Sequence, residues 1–130
     1  FFEKKIKKKK LENCFYLLGE LKDLNKLYMK SDLLIHASKY EGAPNVVLEA
    51  MSYGLPIVSS DCGDISKYVF DKRNGMVFNH YNKSLWIENI SSLLCDESLM
   101  HKMSLESRNI AINKFDISLL LPELISIYKV

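Results

Sequence analysis

Two carboxylates with seven residues between them, Glu41 and Glu49, bracket the corner of the stretch YEGAPNVVLEAMSYGLP at positions 40–56. Asn45 reads as a helix N-cap, with Pro44 just outside the helix stiffening its entry. The amides of residues 46 to 48 are then left without intrahelical acceptors at the positive end of the helix dipole, which makes a seat for phosphate. Gly42 carries no side chain to hold a ligand away from the backbone. Glu41 falls on the loop, and Glu49 roughly 6 Å along the helix axis from Asn45 at about 1.5 Å per residue. Glu49 is surrounded in sequence by Val46, Val47, Leu48, Ala50 and Met51, and an acid in such a setting needs a partner or a task. Carboxylates accept from vicinal hydroxyls as charged acceptors. A phosphate seat between two hydroxyl-binding acids matches a sugar nucleotide. The same pattern is also compatible with a plain helix start, because the dipole alone favours acids near N-termini.

The elements that must position this corner are short apolar runs alternating with helical spacings. CFYLLG (14–19), DLLIHAS (32–38), PIVSS (56–60) and MVFN (76–79) read as buried strands. Leu21, Leu24, Leu27 and Tyr28 share a helical spacing, Asn45 to Tyr53 reads as a helix stopping at Gly54, and residues 64–70 as a short helix. From Ser84 onward the chain reads as two or three helices. Continuous apolar strands alternating with helices imply an α/β fold with a parallel sheet and helices on both faces. In such sheets ligands bind outside the carboxyl ends of the strands, where the corner falls.

Composition sets the limits. The chain has 130 residues, 48% of them apolar, enough for one domain with a core. No apolar run reaches the length of a membrane span. The basic start, FFEKKIKKKK, lacks the apolar stretch of a signal peptide, and an opening on Phe1 in mid-pattern suggests a piece of a longer chain. The first ten residues hold six lysines and one glutamate, so the remainder is net acidic despite an overall charge of +2. The run Lys4 to Lys10 reads as a solvated helix face, with contact to anionic lipid as the sharper alternative. No basic-aromatic interleaving continues it, which argues against nucleic acid. Cys14, Cys62 and Cys95 are widely spaced, as are His36, His80 and His101. They suggest reduced, inert thiols in a cytoplasmic protein and no metal site.

The block EGAPNVVLEAMSYGLPIVSSDCG, followed by the NGMVF strand, resembles the signature of the retaining glycosyltransferases of the GT-B fold, family 4. The likeness runs from about Phe15 to Val130. It implies a partial C-terminal, donor-binding domain with a Rossmann-like parallel sheet over residues 1–116, and a helix over 117–130 crossing back toward an acceptor-binding domain. By that likeness Glu41 contacts hydroxyls of the donor sugar and is the catalytic candidate, helped by the backbone of Gly42, Ala43, Pro44 and Asn45. Amides near Val46 and Val47 seat the diphosphate, Glu49 holds the ribose, and the backbone around Glu20 and Leu21 meets the base. The donor is a UDP-, GDP- or ADP-sugar, the acceptor a glycan or a lipid-linked sugar, and no cofactor or metal is implied. The family's basic phosphate residues lie upstream of Phe1, and Lys67 stands where a glutamate is more usual, so it reads as a surface residue. In the family's strand order 3-2-1-4-5-6 the run 14–19 is the third strand and 32–38 the fourth. The sheet is then interrupted and the chain poorly stable alone. Two other readings stay open on the residues: a GT-B-fold epimerase or phosphorylase, and a non-catalytic α/β module in which both glutamates are structural.

Overall fold

The computed structural model describes residues 1–79 and 82–128, together with the backbone but not the side chains of Leu120 and Glu123. Three parallel strands, β1 (Leu34–His36), β2 (Ile57–Ser60) and β3 (Gly75–Phe78), lie in that order in one sheet. Leu34 pairs with Ile57 and His36 with Ser59, while Ile57 pairs with Gly75 and Ser60 with Phe78. All four β2 residues are buried, as expected for a strand covered on both faces.

Helices α1 (Phe2–Lys8), α2 (Asn25–Tyr28), α3 (Asn45–Ser52), α4 (Lys83–Leu94), α5 (Glu97–Phe115) and α6 (Ile117–Tyr128) complete the described fold, with one 3₁₀ turn at Ile65–Lys67. The side chains of β2 alternate between two cores, as a period of two requires. Ile57 joins Val47, Ala50, Met51, Ile65, Ile110 and Ala111 on the side of α3 and α5. Val58 joins Met76, Leu93 and Met103 on the other side, with Trp86 and Ile90 of α4 packed against them. The long α5 serves both clusters, and its Arg108 donates to Ser52 O at the end of α3 at 2.8 Å. The α/β class with helices on both faces of a parallel sheet is borne out.

Four sequence expectations need correction or trimming. Residues 14–19 form no strand: Phe15, Tyr16, Leu17 and Leu18 are 50–72% exposed, and among the described residues the run has no ladder partner. Apolar content alone makes no strand without a neighbouring edge to bond. The helix expected near residues 21–28 shrinks to the single turn of α2, opened by Asp23 Oδ1 accepting from the Asn25 amide at 2.9 Å. The helix at 64–70 is only the 3₁₀ turn. β1 is three residues long rather than seven. Helix α6 matches the expected final helix through Tyr128, whereas Lys129, Val130 and His80 lie outside the described residues. The Lys4–Lys10 run falls on α1 and the turn after it, and α1 buries no residue. Among the described residues no helix is long and apolar enough to cross a membrane.

A buried polar knot ties the strand ends together. Asn74 is fully buried; its Oδ1 accepts from the Phe70 amide at 2.8 Å and its Nδ2 donates to Tyr68 O at 3.0 Å. Ser107 of α5, also buried, donates to Leu55 O at 2.7 Å. Next to this knot, Gly75 leaves no room for a side chain, since a Cβ there would lie 2.0 Å from Ile57 O. Asn74→Leu keeps the branched shape, adds some bulk, and strands the Phe70 amide and Tyr68 carbonyl. Two lost buried bonds should cost about 2–3 kcal/mol, read as a lower urea midpoint with an unchanged slope.

Candidate functional site

The corner forms as the chain leaves β1, and neighbouring loops hold it from two sides. Ser60 at the end of β2 donates its hydroxyl to Ser38 O, tying the start of the corner to the sheet. Further on, Gly63 sits at φ +53° against the backbone of Glu41 and Gly42, and the Asp64 amide donates to Gly42 O at 3.1 Å. A Cβ at position 63 would fall 2.3 Å from Glu41 O, so only glycine allows this approach. Position 42 is the opposite case: a Cβ there meets nothing within 4 Å. The outer side of Gly42 therefore faces open space, where a ligand can come close to the backbone.

Helix α3 starts at Asn45, as its sequence suggests, but Asn45 does not cap it. Pro44 is the N-cap, with an extended ψ of 99°, and no side chain caps the helix; Asn45 is the first helical residue and is exposed. Proline suits the place because it fixes φ and has no amide to leave unpaired. By contrast, α4 and α5 are capped by side chains, Asn82 accepting from Leu85 at 3.1 Å and Asp96 from Leu99 at 2.9 Å. The Val47 amide donates to Pro44 O at 3.0 Å. Its side chain is buried in the core. Among the described residues the Asn45 and Val46 amides meet no acceptor, and they are the open donors of this N-terminus. Ala43 is exposed beside them and Pro44 is buried.

The two carboxylates have different surroundings. Glu41 keeps 35% of its side chain exposed, and its Oε1 lies 3.4 Å from His36 Nε2, an ion-pair distance when the ring is protonated. Glu49 is exposed rather than embedded, because α3 turns its apolar residues inward and leaves this position on the rim. Its Oε2 accepts from the Tyr28 hydroxyl at 3.0 Å, leaving Oε1 for another donor. Tyr28 is 5% exposed and stacks 5.4 Å from Tyr53, whose hydroxyl donates to Asn25 Oδ1 at 2.7 Å.

Burial, then the bond to the negative Glu49, pushes the Tyr28 phenol from its ordinary value near 10 up to about 12. The phenol stays a neutral donor throughout the working range. A phenol raised on folding contributes stability that is whole below about pH 10 and lost as pH climbs toward 12. Tyr28→Phe should therefore cost about 1 kcal/mol at pH 7 and remove that alkaline loss, as denaturation curves at pH 7 and across pH 9–11 would show.

Other candidates lie elsewhere. Glu20 and Leu21 fall on exposed irregular chain ahead of α2, and among the described residues no hydrogen bond or ion pair joins either to the corner. Lys67 is exposed and pairs with Asp64 at 2.8 Å. Cys62 is a buried free thiol, while Cys14 and Cys95 are exposed and free. Tyr28, His36 and Gly63 were not read as parts of the site from sequence, although Gly63 follows the small-residue turn that signals a close backbone approach.

Residues 1–110 match the family model described as glycosyl transferases group 1. The chain belongs to this family. Among curated relatives, the amylovoran biosynthesis glycosyltransferase AmsD of Erwinia amylovora is 30% identical over 95 residues, which is 73% of this chain and 27% of that protein. The UDP-Gal:alpha-D-GlcNAc-diphosphoundecaprenol alpha-1,3-galactosyltransferase of Escherichia coli is 29% identical over 107 residues, 82% of this chain and 27% of that protein. The chain thus spans about a quarter of the length of these relatives. Among solved structures, sucrose-phosphate synthase from Thermosynechococcus elongatus superposes with a TM-score of 0.90 at 19% identity, over 98% of this chain and 33% of that one. HepE of Anabaena in complex with UDP superposes at 0.89 and 24% identity, over 96% and 35%. These likenesses place the sheet and its helices in the fold of glycosyltransferase domains.

Proposed function

We propose that the corner between β1 and α3 seats the diphosphate of a nucleotide-sugar, and that this chain is the donor-binding part of a glycosyltransferase. The observation that carries the proposal is the uncapped N-terminus of α3, with open amides at Asn45 and Val46, set between two carboxylates that each keep an oxygen for a ligand. The diphosphate takes the amides and the positive end of the helix dipole. Glu49 accepts from the ribose hydroxyls with Oε1 while Tyr28 holds Oε2. Glu41, on the other side of the seat, accepts from hydroxyls of the donor sugar. As the glycosidic bond breaks, charge builds on the leaving diphosphate, where the same amides bind it more strongly than in the ground state. The sugar passes to an acceptor hydroxyl with retention at the anomeric carbon, as in hexosyltransferases of family 4.

UDP-sugars are the first donors to test, because the E. coli relative is named for UDP-Gal and HepE for its complexes with UDP and UDP-glucose. GDP- and ADP-sugars are the comparison. The name of the same E. coli relative favours a lipid-linked acceptor, which fits a cytoplasmic enzyme whose lysine-rich α1 touches anionic lipid. Helix α6, with Leu119, Leu121, Leu124 and Ile125 about half exposed, crosses back toward the acceptor-binding half.

The test is calorimetric titration of the full-length polypeptide that carries this chain with UDP-glucose, UDP-galactose, GDP-mannose and ADP-glucose, followed by a donor-hydrolysis assay. One donor should bind selectively and be hydrolysed slowly. A folded protein that binds none of them, nor their nucleotides, would mean that the corner is architecture.

A further inference from the structure

His36 lies at the end of β1 with its side chain only 11% exposed, and both ring nitrogens have partners. Nδ1 is 3.1 Å from Ser59 Oγ, and Nε2 is 3.4 Å from Glu41 Oε1. Ser59 is the residue paired with His36 in the β1–β2 register and is fully buried. Its hydroxyl has further acceptors in reach, Ser60 O at 3.0 Å and His36 O at 3.3 Å. That set accommodates the ring in either charge state. A neutral ring carrying its proton on Nε2 accepts from the Ser59 hydroxyl at Nδ1. A protonated ring donates from Nδ1 to Ser59 Oγ, and the serine proton turns to Ser60 O. In both cases an N–H is left facing Glu41. A largely covered imidazole fixed from behind in this way is poor as a mere filler and well placed to hold an exposed loop carboxylate.

We infer that His36, fixed by Ser59, is a positioning residue that aims Glu41 at the donor sugar. The inference rests on the reading of Glu41 given above. Glu41 lies on a loop, and a free carboxylate there samples several rotamers. Contact from the ring to Oε1 restricts it and leaves Oε2 for sugar hydroxyls. His36 touches no substrate in this account; its effect passes through Glu41 alone.

The test measures, in the full-length polypeptide, affinities for UDP-glucose, GDP-mannose and ADP-glucose, each against its own nucleotide. The ratio of the two isolates what the sugar contributes. Loss of packing would weaken nucleotide and nucleotide-sugar alike. His36→Phe and Ser59→Ala should each lower the ratio by about 3- to 10-fold, within the range of coupled neighbours, and leave nucleotide affinity unchanged. His36→Gln, which keeps an N–H of similar reach, should recover most of the ratio. In a Glu41→Ala background, which leaves the ring no acceptor to hold, His36→Phe and Ser59→Ala should add nothing. A full additional loss in that background, or an unchanged ratio in both single variants while Glu41→Ala lowers it, would overturn the positioning role and leave the donor reading standing. If Glu41→Ala itself leaves the ratio unchanged, or no probe binds, the donor reading fails and the inference with it. Should His36→Phe not fold, Ser59→Ala and the double variant decide on the same criteria.

Discussion

Gly63→Ala is expected to cost about 2–4 kcal/mol of stability or, if the corner yields, to weaken donor binding at least tenfold. The backbone at 63 has φ +53°, a region that costs an L-residue about 1–2 kcal/mol. The new methyl would also stand 2.3 Å from Glu41 O and 2.5 Å from Gly42 O. Both neighbours are backbone, so no side chain can swing away and relieve the overlap. Either the loop after β2 retreats or the Glu41–Gly42 peptide moves, and a shift of about 1 Å in a positioned group can cost about 10²-fold in turnover. Gly42→Ala is the informative contrast. Its Cβ meets nothing in the protein, so stability should stay within about 0.5 kcal/mol of wild type. Any fall in donor affinity then comes from the ligand side. Thermal midpoints and donor titrations on the two variants separate the effects; equal destabilisation by both would show that the clamp at Gly63 has been misread.

Glu41→Ala should reduce donor turnover by about 10²-fold or more, in the range of losing one aligned polar partner at a reacting centre. Glu49→Gln should weaken both nucleotide and nucleotide-sugar about 10-fold, as expected for losing a charge-assisted acceptor. Glutamine is the right probe at 49 because its carbonyl still accepts from Tyr28. Alanine would leave a buried phenol without its partner and mix folding with binding. The two acids thus predict different signatures. Glu49→Gln weakens the nucleotide itself, whereas Glu41→Ala acts only where a sugar is attached. A Glu49→Gln variant binding nucleotide like wild type would remove the ribose role from that residue.

Much of the fold was legible because its signals are local. The run at 56–60 became β2, NGMVF contained β3, and the helix at 45–53 was placed within a residue, all from apolar runs ended by glycine or proline. The run at 14–19 carried an equally apolar pattern and formed nothing, because a strand exists only through a partner edge and sequence does not show where that edge is. At the corner, the spacing of Glu41 and Glu49 was readable from the chain alone. Their holders were not: Tyr28 reaches Glu49 across 21 positions, and Ser59 reaches His36 across 23. Those contacts arise from strand register and helix packing, which no local pattern encodes. Asn45 misled because it is a favoured cap, yet the proline before it took the place and left the amides of Asn45 and Val46 open.

The measurement that bears most directly on the central claim is a crystal structure of the full-length polypeptide with UDP bound. If the account holds, diphosphate oxygens lie within about 3.2 Å of the Asn45 and Val46 amides, with the ribose hydroxyls on Glu49 Oε1. Nucleotide bound away from this corner, for instance in the recess that Ser31, Asp32 and His101 line with other residues near the opposite end of the strands, would contradict it.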